Sequence, residues 1–151
     1  MKILFLDIDG VLNHSHGVTK GGMLWIDPEH VKHLNSIVEQ SGCRIVLSSV
    51  WRTIYKLSIV GLFLEECGFK YKSELIDKTT VLPQEIRGKE IEKWLQRYGR
   101  VVDQYVIIDD DSDMTKEQKP NFVQTSFKTG LTKELADKAI QILNKNTNAN
   151  S

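Results

Sequence analysis

Ile3-Leu4-Phe5-Leu6-Asp7-Ile8-Asp9-Gly10-Val11-Leu12-Asn13 is the stretch on which the reading of this chain depends. Four consecutive apolar residues, with no polar alternation, predict a strand buried on both faces, as in a parallel sheet. Ligands of open α/β sheets bind at the carboxyl ends of the strands. Asp7 and Asp9 therefore fall on the rim where chemistry is done, and Gly10 lets the chain turn away without a Cβ clash. An Asp-Gly turn alone is common. Two carboxylates flanking an Ile at the end of an apolar strand are much less so, because one of them must face inward.

Outward from this strand the pattern alternates. Residues 13–26 carry Gly17, Gly21 and Gly22 and read as a mobile loop. Asp27-Pro28 is a helix start, followed by an apolar face of Val31, Leu34, Ile37 and Val38 as far as Ser41-Gly42. Cys43 to Ser48 is a second strand, and Thr53 to Cys67 suits one helix that stops at Gly68. Residues 69–86 predict only a short extended segment and a loop through Pro83. A helix follows from Arg87 to Tyr98, then a strand, Tyr105 to Ile108, that runs into Asp109-Asp110-Asp111-Ser112-Asp113. Asn121 to Gln124 reads as another strand, and Thr132 caps a last helix bearing Leu135, Ala139, Ile142 and Leu143. The expectation is an α/β fold, Rossmann-like, with three α/β/α layers, a mostly parallel sheet and no sizeable cap. One domain is expected over 1–144, with a disordered polar tail over 145–151.

Three strands end in polar clusters: Asp7/Asp9, Ser48/Ser49, and Asp109 to Asp113. A parallel sheet brings such ends to one rim. Crowded carboxylates repel one another unless a cation joins them, and an all-oxygen set suits Mg²⁺. An acidic run is ordinarily a solvated turn, but three consecutive Asp directly after an apolar strand pile charge onto the sheet edge.

These clusters, in this order, resemble the motifs of the haloacid dehalogenase superfamily. The resemblance implies that Asp7 is a nucleophile forming an aspartyl phosphate and that Asp9 is the general acid/base. It implies Mg²⁺ held by Asp7, by Asp9 through its backbone carbonyl, and by the acidic cluster. That cluster fits the family as the pair Asp109 and Asp110, with Asp113 behind them, or as the spaced pair Asp109 and Asp113. Ile45 to Arg52 resembles the second motif, whose hydroxyl binds phosphate. Alignment of the apolar strand favours Ser49, and Ser48 remains an alternative. Arg52 is placed to offer a bidentate contact to phosphate, while Trp51 is expected to pack. Lys89, at a helix start where an anion is already favoured, resembles the third-motif lysine, with Arg87 a weaker candidate.

The second Asp points to phosphoryl transfer, because relatives that cleave carbon–halogen bonds typically lack it. The gap between Arg52 and Lys89 holds one helix and a loop, like the capless class with open sites. Ser49-Val50-Trp51-Arg52 and the stretch from Val123 to Thr132 resemble small phosphatase-like domains found alone or fused to RNA-repair enzymes. Substrates expected by resemblance are phosphorylated small molecules or nucleic acid ends. Two competing classes share parts of the pattern: a non-catalytic module that holds phosphate or nucleic acid ends through the same metal cluster, and a receiver domain. The receiver is disfavoured because its acidic pair precedes its acceptor strand, whereas here the pair opens the chain.

With 20 basic and 20 acidic side chains among 151 residues, no global field draws the protein to nucleic acid or a membrane. No apolar run approaches the roughly 20 residues of a membrane span, and no signal-peptide pattern is present, so a cytoplasmic location is expected, without an obligate protein partner. Cys43 and Cys67 have neither metal-knuckle nor redox spacing and read as reduced thiols. His30 and His33 lie three apart on a predicted helix, but no carboxylate or Cys pattern completes a zinc site. The four histidines, His14 and His16 included, read as loop or surface residues, with His14 and His16 near enough to the first motif to touch substrate.

Overall fold

The computed structural model describes residues 1–145; of the tail predicted to be disordered, all but Lys145 lies outside the described residues. Its five-stranded sheet runs in the order β5-β4-β1-β6-β7. These strands are β1 (Lys2–Leu6), β4 (Arg44–Leu47), β5 (Leu75–Lys78), β6 (Gln104–Asp109) and β7 (Phe122–Gln124). All four pairings are parallel, so the first strand sits at the centre with a neighbour on either side.

Successive strand residues face opposite sides of the sheet, and the core divides accordingly. Leu4, Leu6, Ile45, Leu47, Val106, Ile108 and Val123 face one layer. That layer is built from α1 (Pro28–Ser41), α3 (Leu57–Glu66) and α5 (Lys133–Leu143). Ile3, Phe5, Val46 and Ile107 face the other, where Ile91 and Trp94 of α4 (Arg87–Tyr98) cover them. The fold is α/β and Rossmann-like, with no large cap. No helix among the described residues is long and apolar enough to cross a membrane.

Helix ends follow the sequence. Asp27 caps α1 by accepting from the Glu29 N–H, and Gly42, at φ 70°, ends it; Thr132 caps α5 through the Leu135 N–H. The expected loop over 13–26 contains an antiparallel hairpin of β2 (Thr19–Lys20) and β3 (Met23–Leu24). Gly21 and Gly22, with φ 59° and 80°, are its turn; paired positive φ values are what a two-residue hairpin of type I′ requires. The helix predicted over 53–67 is two: α2 (Trp51–Ile54), then an extended Tyr55, then α3. No Gly or Pro marks that break. Tyr55 leaves the helix to pack against Trp51 and Phe63. Cys43 and Cys67 are both free thiols.

Candidate active site

The pairing register and the alternation of side chains decide which rim residues meet. Leu6 pairs with Leu47 and with Ile108, so one residue further on Asp7 lies between Ser48 and Asp109. All three follow residues of the α4-facing core, namely Phe5, Val46 and Ile107. They therefore emerge beneath the start of α4. Ser48 and Asp109 are almost fully buried, and Asp7 is 7% exposed.

Carboxylate oxygens of Asp7, Asp109 and Asp110 all lie within 4.8 Å of one another. Burial raises Asp7 from 3.8 to about 6 against the pull of Arg87. Asp109 is pushed to about 9, by burial first and then by the charge of Asp7. Two such carboxyls share a proton unless a cation takes its place. Three convergent carboxylates form an oxygen-only donor set, and these residues fit Mg²⁺. Asp110 reaches the cluster by crossing Gly10: a Cβ there would stand 2.2 Å from Asp110 Oδ2, and Gly10 has φ +78°.

Asp9 is held apart from that triad. Its Oδ1 accepts from Asn13 Nδ2 at 2.8 Å and from Trp51 Nε1 at 3.1 Å. Asn13 Oδ1 in turn accepts the Gly10 N–H. A metal role for Asp9 is thus left to its main-chain carbonyl. Neither Asn13 nor the Trp51 indole was anticipated as its partner. Asn13 closes a local turn four residues on, whereas the Trp51 contact joins two strand ends and has no local signal.

The two serines separate. Ser48 Oγ accepts from Arg87 Nη1 at 3.4 Å, while Ser49 Oγ turns back to accept the Trp51 N–H at 3.2 Å. The hydroxyl at the carboxylate cluster is that of Ser48, so the strand alignment that favoured Ser49 is off by one residue.

The cations are also redistributed. Lys89 is exposed and pairs with Glu92 at 3.0 Å, one helical turn along, away from the cluster. Arg87 occupies the place expected of Lys89: it contacts Ser48 and acts electrostatically on both Asp7 and Asp109. Its backbone N–H is capped by Asp113 Oδ2 at 3.0 Å, and the Asp113 carbonyl accepts from Gly88. Asp113 thus anchors the start of α4, and with it Arg87. Arg52 lies under the site with each of its three nitrogens engaged, Nε donating to Thr79 O, Nη1 to Ser49 O and Nη2 to Glu90 Oε2. It buttresses the second-motif turn, with its Nη2 paired to the buried Glu90 carboxylate.

A family model described as the HAD domain in Swiss Army Knife RNA repair proteins matches residues 3–136. A search of curated proteins finds no match. With most of its length covered by that model, the chain belongs to this family of the haloacid dehalogenase superfamily, a membership that indicates phosphoesterase-type chemistry.

Proposed function

We propose that this family member is a Mg²⁺-dependent phosphomonoesterase that works through an aspartyl phosphate on Asp7 and acts on phosphate ends of polynucleotides or nucleotides. The observation that carries the reading is the convergence of Asp7, Asp109, Asp110, Ser48 and Arg87 on one strand rim. The polynucleotide part rests on the family's description as a domain of RNA repair proteins.

An Asp7 carboxylate oxygen attacks phosphorus, and the bond from phosphorus to the ester oxygen breaks. Asp9 gives its proton to that leaving oxygen; Asn13 and Trp51 fix its other oxygen for the task. The same Asp9 then takes a proton from water as the water oxygen attacks the phosphoryl group, returning Asp7 and inorganic phosphate. Arg87 and the Ser48 hydroxyl hold non-bridging oxygens. Asp7, Asp109 and Asp110 would hold Mg²⁺, which offsets the charge that otherwise keeps a carboxylate from a phosphate.

The test is Mg²⁺-dependent phosphate release by wild type and Asp7→Asn from an aryl phosphate and from 3′- and 5′-phosphorylated oligonucleotides. Release that requires both Mg²⁺ and Asp7 is expected, with an oligonucleotide end preferred. No release from any of them by folded, Mg²⁺-binding protein would favour a module that only holds such ends.

A further inference from the structure

Away from the carboxylate rim, the structure gathers histidines that the sequence scatters. His14, expected in a loop, and His30, expected on a helix surface, meet with ring centroids 5.0 Å apart, and Asp27 supplies the carboxylate that the sequence pattern lacked. His33 is not part of this group. His30 is 7% exposed, so it is not a surface residue.

The hydrogen bonds assign the lone pairs. His30 Nδ1 lies 2.9 Å from the Leu131 carbonyl, which can only accept, so the proton of His30 is on Nδ1 and its Nε2 is bare. That bare nitrogen faces His14 Nδ1 at 2.9 Å. Asp27 Oδ1 is used on the Glu29 N–H, and Oδ2 lies 3.9 Å from the same His14 nitrogen. Two imidazole nitrogens and one carboxylate oxygen thus converge within 4.8 Å of one another. Ligand atoms around a tetrahedral ion with bonds of about 2.1 Å stand roughly 3.4 Å apart, between the separations seen here. The carbonyl behind His30 is the support that metal-bound imidazoles ordinarily have, a partner for the other ring N–H that fixes tautomer and ring plane.

We propose that His14 Nδ1, His30 Nε2 and Asp27 Oδ2 form a site for a late first-row divalent cation of the Zn²⁺ type, separate from the Mg²⁺ carboxylates. The ligand set, two imidazoles and one carboxylate, favours Zn²⁺ over Mg²⁺. The ion replaces the proton now held between the two rings. His14 is 24% exposed and Asp27 15%, which leaves the fourth position open to water. Such an ion ties three segments together: the loop that follows the first motif, the start of α1, and, through Leu131, the turn before α5. It also fixes His14 next to Asn13, the residue that holds Asp9.

The experiment is calorimetric titration of the full chain with Zn²⁺ in saturating Mg²⁺, paired with thermal melts and with Co²⁺ as a spectroscopic substitute. Wild type is expected to bind one equivalent, to melt higher with Zn²⁺, and to give the visible bands of four-coordinate Co²⁺. His14→Ala and Asp27→Asn, the latter keeping an oxygen for the helix cap, each remove a direct ligand and should weaken binding beyond the roughly 10- to 100-fold that loss of an outer-shell partner costs, and abolish the Zn²⁺-induced rise in melting temperature. Asp109→Asn should leave Zn²⁺ binding unchanged. Absence of Mg²⁺-resistant binding in wild type, or undiminished binding in folded His14→Ala and Asp27→Asn, would overturn the assignment.

Discussion

Replacing Arg52 with Ala separates a structural role from a phosphate-binding one. Arg52 is 6% exposed, and its guanidinium donates to Thr79 O at 2.9 Å, Ser49 O at 2.7 Å and Glu90 Oε2 at 2.5 Å. Removing one partner of a buried ion pair costs about 3–5 kcal/mol, because the other charge is left without compensation. Glu90 would keep two weaker supports, the Leu82 N–H at 3.1 Å and Arg87 Nε at 3.7 Å. The lower end of the range, about 3 kcal/mol, is therefore expected. That is a large share of the ~5–15 kcal/mol that holds a domain folded. With a urea slope of about 2 kcal/mol per molar, the unfolding midpoint should fall by roughly 1.5 M with the slope unchanged. Removing Glu90 as well should recover part of the loss, since no unpaired charge then remains buried. A midpoint shift corresponding to less than about 1 kcal/mol, accompanied by a raised KM, would return Arg52 to the phosphate.

Arg87→Ala should lower kcat/KM by about 100-fold, the scale of losing one preorganised contact to the transition state, whereas Lys89→Ala should leave steady-state kinetics unchanged; the reverse order would restore Lys89 to the site. Gly10→Ala forces a side chain into φ +78° and onto Asp110. It should cost about 1–2 kcal/mol of stability and raise the Mg²⁺ concentration needed for half-maximal activity; unchanged Mg²⁺ dependence would separate Asp110 from the metal. Asp7 and Asp109 hold their protons in the folded protein up to about 6 and about 9, against 3.8 unperturbed. Between those values the folded state binds more protons than the unfolded chain, so in chelator these two groups make stability fall as pH rises from about 4 to about 9. Urea midpoints across that range should show a smaller fall in Asp109→Asn and in wild type supplied with Mg²⁺.

Residues near one another in sequence announced themselves; residues joined through space did not. The run from Ile3 to Asp9 and the acidic end of β6 were legible because apolar strands ending in carboxylates have one economical arrangement, a parallel sheet with a polar rim. α1, α4 and α5 were legible from their apolar faces, with Asp27 and Thr132 as caps for the first and last. Ser48 and Ser49 could not be separated without the pairing register, since a one-residue shift reverses every side chain. Lys89 and Arg87 are two residues apart at the start of a helix, about 200° around its axis, and only the docking of α4 on Asp113 decides which of them faces the rim. The hairpin at Gly21-Gly22 carried a readable signal, but two glycines in a polar stretch also describe an open loop. The break at Tyr55 had no local mark because aromatic packing from Trp51 and Phe63 imposes it.

A covalent phosphoryl group on Asp7 should be trapped in Asp9→Asn mixed with an aryl phosphate and Mg²⁺. An aryl leaving group needs no proton donor, so the first step proceeds while the second, which needs Asp9 as base, stalls. Mass spectrometry of the acid-quenched protein is predicted to find one phosphoryl group, located on the peptide that contains Asp7. A phosphoryl group on another residue, or none at all while Asp7→Asn still releases phosphate, would rule out Asp7 as the nucleophile.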